Sequence, residues 1–423
     1  MKNYFSILLL TVVSMQTFSQ ETGWRSIHEM QSSNPPTIDG QISHDRSAIH
    51  SSPANGLTKI IFGYHPYWVS NSAMDHYRFD LLSHVAYFSY EVDPATGGYK
   101  TIHDWLTTPL IAKAKAAGTK VHLCVTNFGS SANTTLLTNP VARDTLIANL
   151  IRLVKTRNAD GVNIDFEALG GSQRANLVSF FRDLHQRMKT ELPASTISVA
   201  APAVDWNNAW DIASLKNYID VFFVMCYDYY WSGSDYAGPV APIKGTNYNV
   251  TRTIDWYISQ GASPLQIVMG VPYYGYDWQV ESDAKQAKTT STGTARTYAT
   301  AKQKAATHGR KWDATFLNPW YQYQNTNWYQ CWYDDSASLA AKYDLVLQRN
   351  IGGVGMWALG YDDPHPELWD LLRTKFFKLT SVQHENPLAD GISLSQNYPN
   401  PFSETTSILL PLLLGAYHYP HLE

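Results

Sequence analysis

From residue 58 onward, apolar runs of strand length alternate with amphipathic stretches of helical period. The apolar runs cover residues 59–68, 84–92, 120–128, 161–167, 196–203, 220–229, 266–278 and 353–361. Helical patterns fall between them, over 109–117, 143–158, 172–191 and 337–350. Regular alternation of this kind predicts a parallel α/β fold. Eight strands with intervening helices fit a (β/α)8 TIM barrel, spanning residues 57–380. An open doubly wound sheet is the alternative, but it calls for a glycine-rich phosphate turn after the first strand. Here the first run carries Gly63-Tyr64-His65-Pro66-Tyr67-Trp68 instead. The segment 281–329 breaks the rhythm. It is polar, then rich in Trp and Tyr, and longer than an ordinary connection. It predicts a small α+β insertion between strand seven and strand eight.

The ends of the chain lack this periodicity. Residues 20–56 are rich in Ser, Asn, Pro and His and are expected to form a flexible leader. Residues 1–19 have the form of a secretory signal peptide: Lys2, an apolar run over 5–13, then Thr17-Phe18-Ser19 before a cut near Gln20. The run is too short to span a membrane, and no later segment reaches spanning length. The expectation is a secreted, extracellular or cell-surface protein that makes no membrane contact. Residues 381–423 form a linker and a tail.

Composition narrows the partners. The net charge is −4 with no basic run, which argues against nucleic acid, since phosphate binding needs clustered Lys and Arg. Charged residues make up 16% of the chain and aromatics 13%. Abundant rings with few charges suit a carbohydrate binder, although most rings in a large protein serve its core. Cys124, Cys226 and Cys331 are odd in number and widely spaced, so buried free thiols are expected rather than disulfides or a zinc site. The histidines show no metal-ligand spacing. No cofactor and no metal are expected, and the protein is expected to be a monomer.

The chemistry concentrates in Asp160-Gly161-Val162-Asn163-Ile164-Asp165-Phe166-Glu167. Side chains alternate along a strand, so Val162, Ile164 and Phe166 share one face and Asn163, Asp165 and Glu167 the other. Acids on one face of an apolar strand carry a desolvation penalty that packing alone does not explain. Glu167 ends the strand, where barrel enzymes place catalytic groups. A buried Glu with a raised pKa is a good acid for protonating a leaving oxygen. Asp165 lies on the same face, about 6–7 Å along the strand.

This octapeptide resembles the strand-four signature of glycoside hydrolase family 18, DGxDxDxE, with Asn163 in place of the middle Asp. Other segments are similar to that family's motifs: Gly63–Trp68 at strand one, Tyr87–Glu91 at strand two, Met225–Tyr230 at strand six, Gly270–Trp278 at strand seven and Gly352–Asp363 at strand eight. The resemblance implies a retaining glycosidase in which the substrate's own acetamido oxygen is the nucleophile. It further implies Glu167 as general acid, Asp165 as the group that orients the acetamido N–H, and Tyr227 as donor to the acetamido oxygen. Tyr64, Asn163, Met225, Asp228, Tyr273 and Trp357 are implied to bind substrate, with Trp357 as the floor of the −1 site. The implied partner is a polysaccharide or oligosaccharide containing N-acetylglucosamine.

Two departures bear on substrate and pH dependence. Asn163 cannot take the charge that the family's Asp shares with its neighbour. Strand three reads His122-Leu123-Cys124-Val125-Thr126-Asn127-Phe128-Gly129, where many chitinases have SxGG. Both departures resemble branches of the family that act on peptidoglycan. Three readings stay open: hydrolysis of chitin or chito-oligosaccharides, the same fold acting on peptidoglycan or N-glycan chitobiose, and a non-enzymatic chitin-binding lectin. Finally, the tail segment Gln396-Asn397-Tyr398-Pro399-Asn400-Pro401-Phe402 resembles the start of a type IX secretion C-terminal sorting domain, here truncated.

Overall fold

The computed structural model describes residues 24–38 and 56–378. The expected signal peptide and the sorting-domain tail lie outside those residues. Eight parallel strands close on themselves: β1 (Ile60–Pro66), β2 (His84–Val92), β3 (Lys120–Phe128), β4 (Gly161–Glu167), β5 (Thr196–Pro202), β6 (Val221–Met225), β7 (Ile267–Pro272) and β8 (Gly353–Trp357). Each pairs with the next, and β1 pairs with both β2 and β8, which completes the (β/α)8 barrel. The strands are buried nearly throughout because helices cover the outside and side chains fill the inside. Helices 140–157, 174–191 and 336–348 take positions that the helical pattern predicts.

The lower interior is aromatic. Phe223 projects into the centre and meets Phe62 and Tyr64, at centroid separations of 5.6 and 4.9 Å. Two facing positions, Gly270 and Gly355, are register partners and make room for its ring. A Cβ at Gly355 would lie 2.4 Å from that ring, and one at Gly270 would lie 2.5 Å from it. Above this layer the interior turns polar, with His122, Ser198 and Asn163 joined by hydrogen bonds. Cys124, Cys226 and Cys331 are buried and unpaired. Among the described residues, no helix is long and apolar enough to cross a membrane.

The insertion is larger than the sequence pattern predicts. The run 266–278 is two strands: β7 ends at Pro272, and Tyr274–Val280 belongs to a second, antiparallel sheet. That sheet also contains Thr294–Thr297, Lys311–Asp313, Asn318–Gln324 and Trp328–Trp332. The helix Tyr298–His308 completes this α+β unit. It therefore starts at Tyr274, not near residue 281.

The leader departs furthest from expectation. Ile27–Ser33 is a helix, α1, with Ser26 as its N-cap: the Ser26 hydroxyl accepts from the Glu29 N–H at 3.0 Å. Ser26, Ile27, His28 and Gln31 are buried. Residues 24–38 are thus a docked element, not a flexible one.

Candidate active site

Strand β4 places Asn163, Asp165 and Glu167 on the inner face, with Asp165 fully buried and Glu167 5% exposed. Asn163 is the deepest of the three. Its amide oxygen accepts from the Tyr64 hydroxyl at 2.9 Å, and its NH2 donates to Ser198 Oγ at 3.0 Å. The amide is thereby bonded to Tyr64 and Ser198. Tyr64 and Asn163 together form the base of the site.

Tyr227 and Asp228 follow the end of β6. Asp228 has φ +59°, a left-handed conformation that a non-glycine residue adopts at some energetic cost. Ala168, just after Glu167, has φ +60°. Such residues cluster where a site demands a specific chain path. Here both turns bend the chain immediately after a strand delivers its acid or phenol. The Asp228 carboxylate accepts from the Tyr274 hydroxyl. Trp357 ends β8, fully buried, with Phe88 edge-on at 5.0 Å.

Between these groups lies His28 from α1. Its ring stacks on Trp357 at a centroid distance of 3.8 Å and an interplanar angle of 30°. Nδ1 is 2.8 Å from Asp165 Oδ2 and 3.4 Å from Glu167 Oε1, and Nε2 is 2.8 Å from the Tyr227 hydroxyl. One neutral tautomer satisfies the two shortest contacts: Nδ1–H donates to Asp165, and Nε2 accepts from Tyr227. Ser26 Oγ donates to Glu167 Oε1 at 2.9 Å. Gln31 Oε1 accepts from both Trp357 Nε1 and the Tyr361 hydroxyl, each at 2.8 Å.

Burial dominates the electrostatics. Asp165 and Glu167 are both pushed well above the usual carboxylate range, first by desolvation, and Glu167 further by the adjacent Asp165 charge. Two buried carboxylates this close favour holding a proton between them. Asp165 Oδ1 is buried and has no donor among the described residues. Burial raises Asp228 to about 6, offset in part by the Tyr274 hydrogen bond. The hydroxyls of Tyr64 and Tyr227 are pushed up by burial and by the neighbouring acids, so they stay protonated donors. His28 is lowered to about 4 because desolvation outweighs the attraction of Glu167 and Asp228.

His28, Asp165 and Glu167 each offer one ligand atom within 4.8 Å of the others, close enough to hold a metal ion. His28 Nδ1 is already engaged by Asp165 Oδ2 at 2.8 Å, and one of the three ligand atoms belongs to the leader. Next to Glu167 a cavity of about 420 Å³ remains open, lined among others by Trp24, Trp206, Trp210, Met225, Trp231 and Tyr248. Trp206 and Tyr248 are about half exposed and meet edge to face at 4.6 Å. Exposed rings beside an acid form a platform on which sugar faces stack.

The structure brings together most of the residues singled out from the sequence: Glu167, Asp165, Tyr227, Tyr64, Asn163, Asp228 and Trp357, with Met225 on the wall of the cavity. Tyr273 is a correction. Its buried hydroxyl faces Tyr343 and Asp362, away from this cluster, while its neighbour Tyr274 reaches Asp228. The chain leaves the barrel sheet at Pro272 and enters the second sheet at Tyr274. Sequence reasoning missed Ser26, His28 and Gln31, and also Trp206, Trp210, Trp231 and Tyr248. For the leader a signal existed: Ser26-Ile27-His28-Glu29 has the spacing of a helix N-cap box.

The profile of the family described as Glycosyl hydrolases family 18 matches residues 60–362. A protein of Bacillus subtilis (strain 168) named as a sporulation-specific glycosylase, YdhD, is 29% identical over 309 residues, covering 71% of this chain and 70% of its own. Di-N-acetylchitobiase of Rattus norvegicus is 28% identical over 270 residues, covering 56% of this chain and 73% of its own. Among solved structures, the Bacillus cereus spore cortex-lytic enzyme SleL has the same fold, with a TM-score of 0.66 at 22% identity. That match covers 76% of this chain and 75% of SleL.

Proposed function

This chain belongs to glycosyl hydrolase family 18, and from its complete catalytic cluster we propose that it is a secreted, retaining β-N-acetylglucosaminidase. The substrate is a chain of β-1,4-linked N-acetylglucosamine, as in chitin or chito-oligosaccharides, and catalysis is substrate-assisted. One observation carries the reading. Asp165 and Tyr227 converge on opposite edges of a single small planar group stacked on Trp357, with Glu167 alongside. In the present structure that group is the His28 imidazole. Its Nδ1–H stands where an acetamido N–H would donate to Asp165. Its Nε2 stands where the acetamido oxygen would accept from Tyr227.

The chemistry follows from that placement. Glu167, kept protonated by burial, gives its proton to the leaving glycosidic oxygen. Asp165 accepts the acetamido N–H and so turns the carbonyl oxygen toward the anomeric carbon. Tyr227 donates to the same carbonyl oxygen, and Trp357 supports the sugar face. As the C–O bond to the leaving group breaks, the acetamido oxygen bonds to the anomeric carbon. Glu167, now ionised, then takes a proton from the water that opens the ring, which returns it to its starting state.

Peptidoglycan is the second reading. It is supported by Asn163, by Thr126-Asn127-Phe128 on β3, and by relatives whose names refer to sporulation and spore cortex. Export rests on the pattern of residues 1–19 and on the tail segment 396–402. Side-by-side hydrolysis of colloidal chitin, peptidoglycan and a high-mannose glycoprotein tests the proposal. Release of reducing ends from chitin above the other two supports the first reading, and release from peptidoglycan alone supports the second. Binding without turnover on all three points to a lectin.

A further inference from the structure

We propose that the leader segment 24–37 is an intrinsic inhibitor that occupies the −1 position and holds the enzyme latent until it leaves. The proposal rests on the functional reading above, because it names the regulation of that same site. Four polar contacts from one seven-residue helix and its cap meet four groups assigned to catalysis or binding. Ser26 Oγ bonds Glu167, His28 bonds Asp165 and Tyr227, and Gln31 bonds the Trp357 indole. The His28 ring covers Trp357 at stacking distance. No acetamido sugar can share that space with the imidazole.

The contacts are also complementary in chemical type. The acid meets a hydroxyl, as it would meet a glycosidic oxygen. The Asp165–Tyr227 pair meets one donor and one acceptor on a planar ring, as it would meet an amide. An element retained only to cover an apolar surface needs none of these matches. Ser26 makes two hydrogen bonds with one hydroxyl: it caps α1 through the Glu29 N–H and binds Glu167. The helix and the inhibitory contact therefore form together. At the far end, the Tyr67 hydroxyl donates to the Ser32 carbonyl and fixes the exit of the segment.

The occlusion is partial. The cavity beside Glu167, with Trp206 and Tyr248 at its edge, stays open while the −1 position is filled. Substrate can therefore engage the ring platform but cannot place a sugar over Trp357. In such a case the affinity for substrate falls by the fraction of molecules with the site free, while turnover at saturation is unchanged.

The test uses the full chain with a protease site inserted within residues 39–55, which join the leader to β1. Hydrolysis of a fluorogenic chitotrioside is followed before cleavage and after the released leader is removed. Binding of chitotetraose is measured calorimetrically in the same pair on a Glu167→Gln background. Cleavage should lower KM by about tenfold or more with little change in kcat, and should tighten chitotetraose binding by a similar factor. A synthetic peptide of residues 22–38 should then restore inhibition competitively. Equal KM and equal binding before and after removal would overturn the inhibitor. Tighter binding after cleavage with no hydrolysis in either form would uphold the inhibitor and sink the hydrolase reading. If the cleaved protein loses its thermal transition, the intact chain carrying His28→Ala decides. It should bind chitotetraose several-fold more tightly, and unchanged binding would overturn the proposal.

Discussion

Glu167 carries the clearest prediction. Glu167→Gln keeps the shape and the Ser26 contact but deletes the transferable proton. Hydrolysis should fall by about 10² to 10⁴ or more while oligosaccharide binding persists. A rate above about a tenth of wild type would remove Glu167 from the acid's role. Asn163 supports a second prediction. Its amide is bonded to Tyr64 and Ser198 beneath Asp165. Asn163→Asp places a third carboxyl in this buried stack, and desolvation should raise its pKa. A carboxyl whose folded pKa exceeds its unfolded value loses stability as pH rises between the two. The variant should therefore lie closest to wild type in melting temperature near pH 4 and fall behind toward neutrality, with a new inflection in its pH–rate curve. A melting difference that does not vary with pH would show that the introduced carboxyl ionises as freely as in water. Both residues were legible in the sequence, because period-two alternation with acids on one face is a local signal. His28 was not legible, since its role exists only through docking against strands more than a hundred residues away.

Elements were legible to different depths for a physical reason. Parallel strands buried on both faces read as continuous apolar runs, and all eight stand where those runs predict. Run boundaries mislead where two strands abut without a polar break. Residues 266–278 are one run in the sequence and two strands in two sheets, and of the two tyrosines at the junction it is Tyr274 that reaches Asp228. The leader failed for the opposite reason. α1 is short and carries little periodicity, so only its cap spacing marked it, while its stability comes from docking. Glycine placement is readable only after the barrel is closed. Gly355 lies against the Phe223 ring and the Phe62 carbonyl, where a methyl group would come within 2.4 and 2.5 Å. Gly355→Ala must shift either packed ring or backbone, with an expected loss of about 1–3 kcal/mol. A thermal scan should show a melting temperature lower by a few degrees. An unchanged midpoint would mean that Phe223 has slack that its packing does not suggest.

At the scale of the whole molecule, barrel closure brings together groups remote in sequence: the acid at 167, the phenol at 227 and the indole at 357. Their arrangement bears on which mechanism the proposed hydrolysis can follow. Asp165 and Glu167 come from one strand and lie within 4.8 Å through their nearest ligating atoms. An inverting enzyme needs its two carboxyl groups about 6.5–9.5 Å apart, to leave room for a water. A carboxylate nucleophile must face the acid across the sugar, which neighbours on one strand face cannot do. Asp228 is held by the Tyr274 hydroxyl. The proposed reading therefore takes the acetamido oxygen as nucleophile, held between Asp165 and Tyr227 over Trp357. Three outcomes follow, measured with the leader removed so that the −1 position is open. A bicyclic thiazoline that mimics the oxazolinium should inhibit competitively. Tyr227→Phe should lower kcat more than it raises KM, because its hydrogen bond strengthens as the ring forms. NMR within the first minutes should show product as the β-anomer, before mutarotation. Early α-anomer, or cleavage of fully deacetylated chitosan at a similar rate, would exclude substrate assistance and send the search for the nucleophile elsewhere in the barrel mouth.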